Sequence, residues 1–165
     1  MTTKKVSESK VTQTNLIMPG DTNRHNSLFG GNLMSMIDKV SSICFLRHTR
    51  ALGMTASVDN LNFIKPLPVS HALTVDAMIS GTGTRSAEVF AKIIGEDLAT
   101  GERYLAATAF STFVVVEEMK TDKIPNIEAE TEEENYIMSG YNKRRRERLE
   151  NRESDKDFQK HIPID

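Results

Sequence analysis

A chain of 165 residues, 38% hydrophobic and 27% charged, is long enough to bury the core of one domain and to carry an appendage. Its formal net charge of -2 gives no reason to expect nucleic acid as a partner. A single cysteine, Cys44, excludes an internal disulfide framework and a multi-cysteine zinc site, and it suits a reducing compartment.

Residues 1–10 are polar and lack the apolar centre of a signal peptide, so a mobile arm is expected there. Residues 11–119 carry almost all the apolar periodicity and form the expected folded domain. Within it, residues 11–18 read as a first strand, followed by a polar loop and Gly30-Gly31. Over 33–46, Leu33, Ile37, Val40 and Cys44 recur at helical spacing, supported by Met36 and Ile43. Nearly the whole circumference is apolar or small, which predicts a helix enclosed by other structure. Residues 54–64 set Met54, Ala56 and Val58 against Thr55, Ser57 and Asp59, a strand of period two. Strands follow at 73–80, 86–94 and 104–116, the first two joined by the turn signal Gly81-Thr82-Gly83-Thr84.

Strand, helix and four strands with short links predict an α+β domain, an antiparallel sheet packing its inner face on one helix. From residue 120 the composition turns charged, through Glu132, Glu133 and Glu134 and then Lys143, Arg144, Arg145 and Arg146. Residues 120–165 are expected to form a partly helical, solvated, mixed-charge extension. No apolar run has the length of a membrane span, so a soluble cytoplasmic protein without a membrane partner is expected.

Candidate chemistry begins on the helix. Asp38 lies two turns inside an apolar stretch, and a carboxylate there needs partners or a shifted pKa. Position alone leaves open a structural acid bonding neighbouring backbone and a catalytic one. Gly30-Gly31 offers unpaired N–H groups at the positive end of the helix dipole, though two glycines alone support only a turn. By themselves Asn23 is a turn residue and Thr55 an ordinary strand residue. Cys44 reads as packing, and His25, His48, His71 and His161 are scattered without ligand spacing, so no metal is expected.

Six segments then follow in a telling order: Met18-Pro19-Gly20-Asp21-Thr22-Asn23, Phe29-Gly30-Gly31, Met36-Ile37-Asp38, Met54-Thr55-Ala56-Ser57-Val58-Asp59, Asn62-Phe63-Ile64-Lys65-Pro66 and Gly83-Thr84-Arg85-Ser86. Over residues 16–116 the chain resembles the hotdog-fold acyl-CoA thioesterases, in particular the bacterial YciA-like branch and the halves of the cytosolic tandem-domain enzymes. The resemblance implies an antiparallel β-sheet wrapped around one long central helix, and hydrolysis of fatty acyl-CoA to fatty acid and coenzyme A. It implies that Asp38 is the essential acid, as general base on a water or as nucleophile giving a transient anhydride. It implies that an N–H of Gly31 or its neighbour polarises the thioester carbonyl. Asn23 would orient the water or the carbonyl, facing Asp38 of a partner subunit, and Thr55 would assist the acid.

Gly30, Asn62, Phe63, Lys65, Pro66, Gly83, Arg85 and Ser86 match segments that hold the CoA moiety, where cations meet phosphates and turn N–H groups bond pyrophosphate. Acyl-CoA is then the substrate and no cofactor is required. A homo-oligomer with sites shared across a dimer interface, a trimer of dimers, is expected. In one departure from the family, His25-Asn26-Ser27 stands where related chains often carry a glycine; in another, the charged tail falls outside the resemblance. The alternative function is a non-catalytic hotdog sensor of acyl-CoA, disfavoured by the presence of Asp38 and by the short chain ahead of the first strand.

Overall fold

In the computed structural model, which describes residues 2–119 and 121–165, the expected order is present with elements added at each end. The chain runs β1 (Thr3–Lys5), β2 (Val11–Leu16), α1 (Gly30–Thr49), β3 (Gly53–Phe63), β4 (Ala72–Thr82), β5 (Ser86–Glu96), β6 (Arg103–Val115), β7 (Asn126–Glu128), α2 (Glu132–Ser139) and α3 (Tyr141–Lys160). Met1 and Lys120, where the expected arm and tail begin, lie outside the described residues. Five strands form one antiparallel sheet in the order β2-β4-β5-β6-β3, and β1 pairs in parallel with β7.

The period-two strands and the helical stripe meet as their patterns require. From α1, Leu33, Ile37, Val40, Cys44 and Phe45 are buried against Leu73, Val75 and Ile79 of β4, Val89 and Ile93 of β5, and Phe113 of β6. The Phe45 and Phe113 rings stack at 5.5 Å, and each such fully buried side chain contributes about 2 kcal/mol. Cys44 packs in this core, its thiol pushed up to about 12 by burial. The helix closes at Arg50, which takes a left-handed φ of 54° and returns its N–H to the Leu46 carbonyl. Lys4 Nζ adds bonds to the last-turn carbonyls of His48, at 2.7 Å, and Arg47, at 3.3 Å.

Three expectations need correction. The helix is not enclosed within a single chain: Met34, Ile43 and Leu46 are exposed, because one curved sheet covers only one side of a cylinder. Nor does β3 alternate throughout. Its register with β6 shifts between Thr55 and Ser57 and again between Val58 and Asn60, so Ala56 and Asp59 are bulged residues. Thr55 stands opposite Phe113, on the core side, whereas Ser57 stands opposite Thr112, on the outer face.

The third correction concerns both termini. The expected arm is built into the fold: Val6 is fully buried with Met78, Phe90 and Ile137 in a second cluster on the outer face of the sheet. Ile137 belongs to α2, so the charged extension supplies part of that layer. The start of α3 is anchored as well, while its second half is solvated as the charge pattern predicts. Gly81 makes room for the anchor, because a Cβ there would overlap the Tyr141 ring.

Candidate active site

The loop from β2 to α1 is tied to the helix start. Asp21 accepts the Met18 N–H at 3.1 Å, and its carbonyl accepts the Phe29 N–H at 2.9 Å and Asn32 Nδ2 at 3.1 Å. Asn23 Oδ1 accepts the His25 N–H at 2.8 Å and the Ser27 hydroxyl at 3.3 Å, which closes a local turn. Asn26, in the segment where the resembled family often has glycine, takes a left-handed φ of 56°. Asparagine tolerates that conformation better than other side chains, so the departure keeps the turn.

On α1, Asp38 faces the side that the sheet leaves open. Its Oδ1 accepts the Thr55 hydroxyl at 2.5 Å, and Oδ2 has no partner among the described residues. The acid expected to be buried is exposed in the single chain. Two turns earlier, the N–H groups of Gly30 and Gly31 have no acceptor among the described residues, as the first turn of a helix dictates. A Cβ on Gly31 would strike the Phe29 ring, and one on Gly30 would lie 3.6 Å from Phe63 Cζ. Seven residues of helix separate Gly31 from Asp38 by about 10 Å.

Asn62, Phe63, Lys65 and Pro66, all exposed, therefore gather where α1 begins. Gly83, Arg85 and Ser86 form the β4–β5 turn at the other end. Ser86 stands opposite Val114, which stands opposite Met54, and Arg85 Nη2 donates to the Glu117 carbonyl at 2.6 Å. The length of β3, about 30 Å, lies between these two groups of expected CoA-binding residues.

Within one chain, then, Asp38 meets Thr55 and Phe63 meets Gly30, while Asn23 bonds inside its own loop and the β4–β5 turn is remote. Chemically, the first pair is a carboxylate with one oxygen held by a hydroxyl and the other free to take a proton. Among the described residues no cluster of His, Cys, Asp and Glu is placed to hold a metal, and no helix is long and apolar enough to cross a membrane. In the sequence Asp59 is one polar position of the β3 alternation and Arg148 a member of the charged tail; the fold sets Arg148 Nη1 3.7 Å from Asp59 Oδ2 on the outer face of β3.

An antiparallel sheet wrapped around a central helix is the hotdog fold, the α+β architecture expected from the element order. The chain belongs to the thioesterase superfamily, whose family model matches residues 25–102. It is 48% identical over 128 residues to YkhA, an uncharacterized acyl-CoA thioester hydrolase of Bacillus subtilis, covering 77% of this chain and 74% of that one. Among solved structures, an acyl-CoA hydrolase of Staphylococcus aureus superposes with a TM-score of 0.93 at 31% identity, over 98% of this chain and 100% of that one. A hexameric acyl-CoA thioesterase superposes with a TM-score of 0.87 at 32% identity, over 92% of this chain and 97% of that one.

Proposed function

We propose that this protein hydrolyses fatty acyl-CoA thioesters in a site built from two subunits, with Asp38 as the reacting carboxylate. The observation that carries the reading is the 2.5 Å bond from Thr55 to Asp38 on the open side of α1. It supports a carboxylate held in one orientation where a substrate has access. The S. aureus hydrolase has been solved with butyryl coenzyme A and coenzyme A, and as alanine variants of an asparagine, an aspartate and a threonine. In that chain the three lie fifteen and then seventeen residues apart, the spacing of Asn23, Asp38 and Thr55 here.

In the proposed reaction a water attacks the thioester carbonyl as Asp38 takes its proton. The carbonyl oxygen becomes negative and is met by the Gly31 N–H at a helix N-terminus. The C–S bond then breaks, and the CoA thiolate leaves and recovers the proton from Asp38. In the variant route Asp38 attacks the carbonyl directly, and the C–S bond breaks to expel the CoA thiolate. Water then opens the anhydride, freeing Asp38 and the fatty acid, and a proton of that water goes to the thiolate. Neither route uses a cofactor. Thr55 holds the acid, and Asn23 orients the water or the carbonyl.

Separation along the helix supports a shared site. Gly31 and Asp38 of one chain are about 10 Å apart, too far to serve one carbonyl and its water. The free edge of β3 and the exposed Met34, Ile43, Leu46, Met54 and Val58 offer a surface for a second copy. Antiparallel pairing of β3 with its copy would bring the Gly83–Arg85–Ser86 turn of one subunit toward Gly30, Asn62, Phe63, Lys65 and Pro66 of the other. Three such dimers would make the hexamer seen for the relative. The lone, buried Cys44 fits a cytoplasmic location.

Mixing separately inactive variants tests the arrangement. After subunit exchange, Asn23→Ala and Asp38→Ala chains in equal amounts should recover about a quarter of wild-type turnover, since half the dimers then hold one intact site of two. No recovery despite exchange would place both residues in one chain's site.

A further inference from the structure

On the outer face of the sheet, Glu88, Thr112 and Ser57 stand in one row across β5, β6 and β3, and Ser80, the unpaired residue at the register shift of β4, turns its hydroxyl to Glu88. The Glu88 side chain is fully buried. It accepts the Ser80 hydroxyl at 2.7 Å, Arg144 Nη2 at 2.8 Å and Arg144 Nε at 3.0 Å, and it also pairs with Arg148. Arg148 reaches further: its Nη1 lies 3.7 Å from Asp59 Oδ2. Asp59 in turn accepts the Ser57 hydroxyl at 2.5 Å and the Thr112 hydroxyl at 2.7 Å.

Asp59 and Ala56 are the two extra residues of β3. A single bulge reverses which face the following side chains take. Thr55 can therefore face Asp38 while Ser57 and Asp59, two and four residues later, face α3. An anchor on the far face would help to hold that conformation. The Arg148–Asp59 contact supplies one, bound through Glu88 to the middle of the sheet. The C-terminal extension thus touches the back of the segment whose front holds the carboxylate.

We propose that Arg148 is a positioning residue for the Thr55–Asp38 pair, acting through Asp59 and the double bulge of β3. This rests on the thioesterase reading of that pair. Arg148→Met leaves Glu88 bonded by Arg144, so the fold keeps its buried ion pair. The variant should lower kcat about tenfold with little change in KM, because small misplacements of a reacting group slow chemistry more than binding. Arg148→Lys should restore part of the loss, since it returns a cation to Asp59.

The deciding measurement is a double-mutant cycle in kcat on acyl-CoA, with wild type, Arg148→Met, Thr55→Ala and the pair. If Arg148 acts through Thr55, it adds no further loss in the Thr55→Ala background. Losses that multiply, or an Arg148→Met enzyme with wild-type kcat, overturn the proposal and leave the thioesterase reading standing. A folded wild type that turns over no acyl-CoA sinks that reading and the positioning role with it. Should Arg148→Met fail to fold, Asp59→Asn takes its place in the same cycle, with the same two outcomes.

Discussion

The hydroxyl of Thr55 and the carboxylate of Asp38 meet at 2.5 Å, joining the edge strand to the middle of the central helix. That bond fixes one oxygen of the acid and leaves the other on the open face. Thr55→Val keeps the branched shape and removes only the donor. A hydrogen bond to a charged group is worth about 1.5–3 kcal/mol, so kcat should fall about ten- to a hundredfold. KM should barely move, and the melting temperature should fall by several degrees. Steady-state kinetics beside a thermal melt would check both.

Glu88 is the buried end of the Arg144–Arg148 clamp. Glu88→Ala leaves two guanidinium groups facing each other across a void, with no carboxylate between them. Removing one partner of such a set costs about 3 kcal/mol, and urea unfolding should show it as a lower midpoint. Glu88→Gln, which keeps the shape and part of the hydrogen bonding, should lose less.

Gly81 is buried beneath Tyr141 at the root of α3. Gly81→Ala puts a methyl group into the ring's place, so α3 must lift from the sheet. Limited proteolysis should then cut within residues 141–160 faster than in wild type, while the domain up to β6 survives. An unchanged cleavage pattern would show that the helix adapts without leaving.

Much of this fold can be read from side-chain period. Leu33, Ile37, Val40 and Cys44 mark the buried face of α1, and β6 alternates from Ala107 to Val115, whereas β4 and β5 are buried on both faces over much of their length. Where the reading fails, the cause is an interaction at a distance. Val6 sits among polar neighbours and gives no local sign that it will be buried with Ile137, more than a hundred residues on. Arg144 and Arg148 look like members of a solvated charge run until Glu88 is known to stand opposite them.

The site shows the same division. The motif marks Asp38 and Thr55, and the structure brings them together; the exposure of Asp38 is not legible in the sequence, because a single chain leaves the apolar helix face open. The bulges at Ala56 and Asp59 break a perfect alternation without any glycine or proline to announce them.

His48, at the end of α1, is fully buried. Its Nε2 donates to the Pro125 carbonyl at 2.9 Å, and Nδ1 faces the Ser9 hydroxyl at 3.5 Å, linking helix, arm and tail. Burial holds its pKa below the usual 6.5. The unfolded chain therefore takes up a proton that the folded chain refuses. The resulting stability is present above about pH 6.5 and is lost as the pH falls below it. In His48→Gln, unfolding free energy should decline less between about pH 7.5 and pH 5.5 than it does in wild type. Parallel declines in the two proteins would remove His48 from the account.

The most direct test of the central claim is release of CoA thiol from acyl-CoAs of increasing chain length by wild type and by Asp38→Asn, with folding and assembly of both checked. The account predicts hydrolysis by wild type and a loss of about a hundredfold or more in the variant, the scale of general-base catalysis. Hydrolysis that survives in Asp38→Asn, or a folded wild type that binds acyl-CoA and leaves it intact, would contradict it.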